Sequence, residues 1–243
     1  KVSNEGTFVS RYLRFFGIGE SRLVTDLEQL IEEQTNPTIA PYAGMYEVVL
    51  RLTANGDTRE ECERLLDELE AKILFVENEY FYGYGEYETL LLITSELLKN
   101  SGLSISSAES LTGGLFASTL VSIDGSSQYV LGSCVAYQES VKKNQLQVSQ
   151  EILEKYGMVS AECAEAMAEN VRTIFGSDLG ISFTGVAGPS TMEGKEVGTI
   201  FISLADGLET KTIELHLARN RNGNREFAVQ YGLNELRKYL LKK

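Results

Sequence analysis

A short run of small polar and glycine residues, Ser107 to Gly114, is the segment of this sequence best suited to chemistry. It follows an apolar, strand-like segment and precedes a helix-like one. Such a junction directs backbone N–H groups and hydroxyls into an open pocket, which suits an anion such as phosphate or carboxylate. The alternative, that Ser110 or Thr112 only caps the helix, fits the spacing equally well.

A second segment of the same kind, Phe183 to Pro189, also follows an apolar strand and brings glycines to the end of that strand. The two turns converge on one crevice if their strands are neighbours in a sheet. The alternative is an ordinary glycine-rich connection.

Tyr137 and Lys142 supply the functional groups nearest to these turns. Tyr137 ends a predicted buried strand, and Lys142 lies five residues later in a predicted helical start, where its side chain can reach back toward the strand end. A desolvated lysine with a lowered pKa can accept the proton of a serine nucleophile. The alternative is a plain surface lysine, as its neighbour Lys143 illustrates.

Histidine and cysteine usage narrows the possible sites. The only histidine, His216, stands in an alternating stretch that favours a solvent-facing strand residue, so a histidine-based metal cluster is excluded. Three cysteines far apart in the sequence form neither a disulfide framework nor a C-x-x-C pair, which predicts a cytoplasmic protein. We therefore expect no metal and no cofactor.

Composition and charge argue against several classes of protein. The 243 residues are 43% hydrophobic and 23% charged, with a formal net charge of −13. No segment approaches the roughly 18 consecutive apolar residues of a membrane helix. The acidic balance argues against binding a phosphate backbone, so direct nucleic-acid binding is not expected. The chain begins with Lys1 and without a signal-peptide pattern, and looks cut from a longer one.

Charge and periodicity predict two domains, 1–90 and 91–243. The first carries 8 Lys+Arg against 18 Asp+Glu, the second 14 against 17. The first reads as a small α+β module and the second as an α/β layered sheet. The predicted strands are 8–17, 46–53, 103–108, 130–137, 179–184, 197–204 and 210–217. The predicted helices are 20–33, one that begins at Thr58, 89–99, 112–121, 160–175 and 224–241.

An ordered set of motifs resembles the carboxy-terminal domain of the CinA (competence/damage-inducible protein) family over about residues 92–243. Its members are Ala108–Gly114, Gly125–Ser127, Val135–Tyr137, Lys142, Val159–Ser160, Ala166–Ala168, Thr184–Pro189 and Val197–Thr199. Gly17–Ser21 with Pro37–Tyr42 is similar to the middle module of the same family. The family's amino-terminal, molybdopterin-binding-like domain has no counterpart in the sequence.

The resemblance implies a three-layer α/β/α domain after a small KH-like module, and a nicotinamide mononucleotide amidohydrolase that releases ammonia. Its expected partners are a small-molecule nucleotide substrate and a second copy in a homodimer. The first module contains no clear basic G-x-x-G loop, and we interpret it as a spacer or dimerisation module. The alternative is a nucleotide-binding interaction protein of competence or DNA repair that does not turn over its ligand.

The resemblance also assigns roles to individual residues. Ser110 would be the nucleophile and Lys142 the base or proton shuttle, with Tyr137 and Ser127 as hydrogen-bonding partners. Substrate-binding residues would lie in both turns and near the last helix, where a basic side chain could bind phosphate through two hydrogen bonds. They are Thr112, Gly113, Gly114, Thr184, Gly185, Gly188 and Arg225.

Overall fold

A computed structural model describes residues 6–243, and the chain divides into two compact units. The first extends to Thr89, and the second spans Leu90–Lys243.

The first unit is a four-stranded antiparallel sheet with helices. The strands lie in the order β2-β3-β1-β4. They are β1 (Thr7–Phe16), β2 (Thr38–Ala43), β3 (Glu47–Gly56) and β4 (Phe81–Tyr84); the helices are α1 (Glu20–Asp26), α2 (Glu28–Glu32) and α3 (Arg59–Glu77).

Alternation of side chains builds the core of this unit. Every second residue of β3 from Val48 to Ala54 is buried, and α3 packs on this sheet with Leu66 and Ile73 inward. The helix predicted over 20–33 is interrupted: α1 ends at Asp26, and Leu27 leaves the helical conformation with φ −105° and ψ 11°.

The second unit is a five-stranded sheet between helices, with the strand order β6-β5-β7-β8-β9. The strands are β5 (Ile105–Glu109), β6 (Val130–Val135), β7 (Leu179–Gly185), β8 (Thr199–Ala205) and β9 (Thr210–His216). The helices are α4 (Leu90–Ser101), α5 (Leu115–Val121), α6 (Glu139–Asn144), α7 (Gln150–Tyr156), α8 (Ala161–Phe175) and α9 (Arg221–Leu240), with a 3-10 turn at Ser126–Gln128.

Close packing on both faces of β7 creates the three layers. A Cβ on Gly180 would lie 2.1 Å from the Ala168 carbonyl oxygen of α8. A Cβ on Gly232 of α9 would lie 2.5 Å from the Phe183 ring. Because residues 180 and 183 point to opposite faces of a strand, α8 and α9 enclose the sheet. The predicted fold class, an α/β/α domain after a small α+β module, is confirmed.

Strands β6, β5 and β7 run parallel, so their carboxyl ends meet at one edge. At that edge β5 continues into a turn whose Gly113 and Gly114 have φ of +61° and +92°. Residues other than glycine rarely adopt these φ values. Because Gly113 and Gly114 are not helical, the helix predicted to begin at Thr112 begins at Leu115.

Candidate active site

Ser110 and Lys142 form a buried pair at the carboxyl ends of the parallel strands. Ser110 follows β5 directly, and its backbone N–H donates to the carbonyl oxygen of Phe183 at 2.9 Å. Lys142, on α6, is only 1% exposed, and its Nζ lies 2.9 Å from Ser110 Oγ. Nζ also donates to the carbonyl oxygen of Ala136 at 2.7 Å, which fixes the amine beside the hydroxyl.

The surroundings of Lys142 favour its neutral form. Burial lowers the pKa of this amine because the charged form loses hydration, while Glu193 and the thiols of Cys134 and Cys163 act in the opposite direction. No carboxylate forms an ion pair with Nζ within 4 Å among the described residues. A neutral amine has a lone pair that can accept the Ser110 proton.

Glu109, the last residue of β5, supplies the anion that the glycine-rich turn binds. Its fully buried carboxylate accepts the backbone N–H groups of Gly114, Phe116 and Ala117 at 2.9, 3.0 and 2.9 Å. The hydroxyls of Ser107 and Ser133 donate to it as well, at 3.1 and 3.3 Å. The predicted anion-binding turn therefore exists, but its anion belongs to the chain itself.

This arrangement corrects the positions predicted for Thr112, Gly113 and Gly114. The N–H of Gly114 is bound by Glu109, and the N–H of Gly113 donates to the Ser110 carbonyl oxygen at 3.1 Å. Thr112 is fully buried, and its hydroxyl has no hydrogen-bond partner. None of the three lines the cleft beside Ser110.

The cleft itself has a volume of about 360 Å³, within the range of small-molecule sites. Five parts of the second unit form its walls: the ends of β5 and β6, α6, the segment before α8, the end of β7 with the turn after it, and the first turn of α9. They include Ser110, Leu111, Tyr137, Gln138, Lys142, Met158, Val159, Thr184, Gly185, Val186, Ala187, Gly188, Pro189, Ser190, Thr191, Met192 and Arg221. The structure thus brings together six of the predicted site residues: Ser110, Tyr137, Lys142, Thr184, Gly185 and Gly188.

Backbone atoms form much of the wall after β7. The Thr184 hydroxyl donates a hydrogen bond to the Met158 carbonyl oxygen at 2.7 Å. This bond stabilises the wall. A Cβ on Gly188, where φ is +98°, would lie 2.7 Å from a Val197 methyl carbon. Glycine at this position therefore lets the turn fold closely over the cleft.

Arg221 is a charged cleft residue that the sequence analysis misses. Its guanidinium lines the cleft, donates to the Tyr137 hydroxyl oxygen at 2.9 Å and donates to the Gly188 carbonyl oxygen. The predicted helix begins at Asn224, whereas the side chain of Asn220 accepts the Gly223 N–H and starts α9 one turn earlier. An asparagine cap before Arg221 was the available signal.

Arg225 has a different position from the one predicted. Its Nε donates to the Leu111 carbonyl oxygen and its second terminal nitrogen to that of Thr112, each at 2.9 Å. The side chain is absent from the cleft wall. Arg225 therefore holds the turn after Ser110 rather than facing a ligand.

Ser127 lies away from the cleft and does not line it. It belongs to the 3-10 turn that precedes β6, whose first residue, Val130, pairs with the first residue of β5. The cleft is at the other end of both strands. Residues before and after a parallel strand lie at opposite edges of a sheet, which is why the two serines are separated.

Glu193 fixes the loop that covers the cleft. Its carboxylate accepts the backbone N–H groups of Met158 and Val159 at 3.0 and 2.9 Å. Ser190, Thr191 and Met192, immediately before it, line the cleft. The loop is thus tied to the segment that leads into α8.

Other candidate sites are weaker. A cleft of about 940 Å³ lies at the amino ends of β5 and β7, but its carboxylates are occupied: Asp178 accepts from Ser104, and Asp206 from Tyr239 and Lys243. No group of three or more metal-binding side chains occurs among residues 6–243. No helix in that range is long and apolar enough to cross a membrane.

Comparison with known families accounts for both units. The family described as the CinA C-terminal domain matches residues 88–240, and the family described as the damage-inducible protein CinA KH domain matches residues 10–83.

Solved structures resemble the second unit. A CinA superfamily protein from Klebsiella pneumoniae is 25% identical, with a TM-score of 0.62 over 64% of this chain and 100% of its own. One from Enterobacter cloacae is 29% identical, with a TM-score of 0.61 over 65% of this chain and 96% of its own.

Curated relatives carry the name competence-damage inducible protein. One from Bacillus pumilus is 51% identical over 236 residues, which cover 97% of this chain and 56% of the relative. One from Bacillus subtilis is 46% identical over all 243 residues, which cover 58% of the relative. The chain thus spans less than two thirds of the length of the relatives it matches.

The buried Glu109 carboxylate generates the first testable prediction. We expect Glu109→Gln to lower the free energy of unfolding of the second unit by about 2–3 kcal/mol, because an amide nitrogen would face N–H donors and the charge-assisted bonds would be lost. Urea unfolding followed by circular dichroism measures this. Glu139→Gln, an exposed residue at the start of α6, is the matched control. A loss below about 0.5 kcal/mol would contradict the role given to Glu109.

Proposed function

The chain belongs to the CinA family, and from that membership together with its buried Ser–Lys pair we propose that it is a nicotinamide mononucleotide amidohydrolase. The proposed reaction converts the carboxamide of nicotinamide mononucleotide to a carboxylate and releases ammonia. The 2.9 Å contact between Ser110 Oγ and the buried Lys142 amine is the observation that carries the proposal. It is the arrangement that amide hydrolysis by a serine nucleophile requires where no histidine is available.

In the proposed mechanism Lys142 transfers two protons, one in each half of the reaction. The neutral amine accepts the Ser110 hydroxyl proton as Oγ bonds to the carboxamide carbon. Lys142 then gives this proton to the departing nitrogen, the C–N bond breaks, and ammonia leaves an acyl ester on Ser110. A water molecule, deprotonated by Lys142, adds to the ester carbon. The Ser110–carbon bond breaks, Oγ takes from Lys142 the proton that came from water, and nicotinic acid mononucleotide is released.

Tyr137 stabilises the charge that develops on the carboxamide oxygen. Its hydroxyl oxygen accepts a hydrogen bond from Arg221, so its own proton is free to be donated to the substrate. Donation to an oxygen that becomes negative in the transition state lowers the barrier. The guanidinium next to the hydroxyl strengthens this donor.

Arg221 binds the phosphate end of the substrate in this proposal. Apart from Lys142, it is the only cationic side chain among the described residues that line the cleft. A guanidinium pairs with phosphate through two parallel hydrogen bonds. Arg221 thereby takes the role that the sequence analysis assigns to Arg225.

A non-catalytic nucleotide-binding protein of competence or DNA repair is the second candidate. It would need the cleft and Arg221, yet a buried lysine without a carboxylate partner costs folding free energy, and a protein that only binds a nucleotide gains nothing from that cost. The burial of Lys142 therefore favours the enzyme.

We further propose that the active form is a cytoplasmic homodimer without direct nucleic-acid binding, consistent with three free cysteines and an acidic first unit.

The purified chain is expected to release ammonia from nicotinamide mononucleotide, and Ser110→Ala is expected to abolish this release. Substrate binding should stay within about tenfold of the wild-type affinity, because the nucleophile contributes to the chemical step rather than to ground-state binding. A coupled ammonia assay and calorimetry measure the two quantities. Residual turnover above a few per cent of the wild-type rate would refute Ser110 as nucleophile, and wild-type binding without ammonia would favour the second candidate.

Lys142 is expected to control the pH dependence of the rate. Since burial lowers its pKa, the fraction of neutral amine, and with it the rate, should increase as pH increases through that lowered pKa. Lys142→Arg and Lys142→Ala should each reduce the rate at least about 10²-fold, because neither residue accepts a proton at working pH. Lys143→Ala, on the exposed side of the same helix, should match the wild type. Substantial activity of Lys142→Arg would assign proton transfer to another group.

Arg221→Gln is expected to remove the preference for a phosphorylated substrate. We expect kcat/KM for nicotinamide mononucleotide to fall about 10–100-fold, from the loss of a charge-assisted contact, with a smaller change for the corresponding nucleoside. The ratio of the two kcat/KM values isolates phosphate binding from effects on Tyr137. Arg219→Gln, which removes an exposed guanidinium stacked on Phe227, is the control. An unchanged ratio would place the phosphate elsewhere.

A further inference from the structure

A short hairpin, residues 190–195, covers part of the cleft. Met192 and Lys195 pair through two backbone hydrogen bonds of 3.2 and 2.8 Å, which leaves Glu193 and Gly194 as a two-residue turn. The first half of this hairpin lines the cleft. The position of the hairpin therefore decides how far the cleft is open to solvent.

Glu193 has a backbone conformation that glutamate rarely adopts. Its φ is +52° and that of Gly194 is +71°, and positive φ at both residues is typical of a type I′ turn. Asparagine, aspartate and glycine favour the first of these two positions, whereas glutamate there costs free energy. Such a conformation persists where the surrounding structure offsets its cost, which points to a specific role of the Glu193 side chain.

The Glu193 carboxylate joins the hairpin to the segment that precedes α8. One of its oxygens accepts the Met158 N–H at 3.0 Å and the other accepts the Val159 N–H at 2.9 Å, and both of these residues line the cleft. Glycine at position 157 leaves room for the carboxylate, since a Cβ there would lie 2.5 Å from Glu193 Oε2. One side chain thus connects two walls of the cleft.

The same carboxylate acts on the Lys142 amine. Glu193 raises the pKa of Lys142 against the lowering effect of burial. The thiols of Cys163 on α8 and Cys134 on β6 also face the amine, but burial raises the pKa of Cys134, and that of Cys163 to about 11, so both stay neutral. Of these three groups, Glu193 carries the negative charge.

The remaining charged or titratable groups near Lys142 have partners of their own. Tyr137 and Arg221, which line the same cleft, are hydrogen-bonded to each other. Glu109 is enclosed by backbone N–H groups and hydroxyls of the chain. Glu193 differs from them because it belongs to the hairpin that covers the cleft.

We propose that Glu193 is a positioning residue for the amidohydrolase reaction: its carboxylate holds the hairpin over the substrate and sets the electrostatic environment of the Lys142 amine. This inference rests on the proposed function. A general base is most effective when its pKa lies near the working pH, and burial alone makes an amine a weak base. Because the charge is carried by the hairpin, closure of the cleft and the strength of the base are coupled.

NMR of the full chain with isotopically labelled lysine tests the effect on Lys142 without turnover. The Lys142 signal, identified by its loss in Lys142→Arg, should titrate at least about 0.5 pH unit lower in Glu193→Gln than in the wild type, because loss of a negative charge disfavours the charged amine. Glu193→Gly should give the same shift and keep the turn, since glycine readily adopts positive φ. Glu196→Gln removes an exposed carboxylate from the same loop and should leave the titration unchanged.

Calorimetry tests the effect on substrate binding. In the Ser110→Ala background, Glu193→Gly should weaken binding of nicotinamide mononucleotide at least about fivefold, through loss of the two charge-assisted hydrogen bonds that hold the hairpin. Glu196→Gln should not change this affinity. An unchanged Lys142 titration in both Glu193 variants overturns the proposal, and so does an unchanged affinity. A wild type that releases no ammonia but shows the Lys142 shift would refute the proposed reaction and still support the effect of Glu193 on Lys142.

Discussion

The buried carboxylate of Glu109 is the interaction on which the geometry of the cleft depends. Three backbone N–H groups and two hydroxyls converge on it, so the turn between β5 and α5 closes around a charge of the chain itself. With that turn fixed, Ser110 projects from the sheet edge in one orientation. Arg225 holds the same turn from its carbonyl side. Ser110 is thus positioned by side chains that do not line the cleft.

Burial of Lys142 adds reactivity to this geometry. An amine inside the protein costs free energy when charged, and the fold meets that cost by favouring the neutral form rather than by pairing it with a carboxylate. The same burial places the amine against one hydroxyl and one carbonyl oxygen. One structural cause, burial, therefore both places the amine beside Ser110 and lowers its pKa.

The sequence predicts the parts of the site that follow directly from strand ends. Ser110, Tyr137 and Lys142 come shortly after a β-strand and Thr184 lies near the end of β7, and parallel strands bring such residues to one edge. The hydrogen-bond partners of the Glu109 carboxylate could not be predicted from the sequence, because they depend on the φ angles of Gly113 and Gly114 and on where α5 starts.

The positions at which helices and strands begin and end explain most of the remaining differences between prediction and structure. The resemblance selected Arg225 near the predicted helix start at Asn224, whereas α9 begins at Arg221, which lines the cleft. The strand β2, which contains Pro41, has no sequence signal of its own because it is a short edge strand paired only with β3.

Helix α9 connects several parts of the second unit. Arg221 at the cleft, Arg225 on the turn and Gly232 against Phe183 are all carried by this one helix, and Phe183 binds the Ser110 backbone. Because one helix carries all three contacts, any change in the position of its first turn at the cleft also changes the support of the turn that holds Ser110.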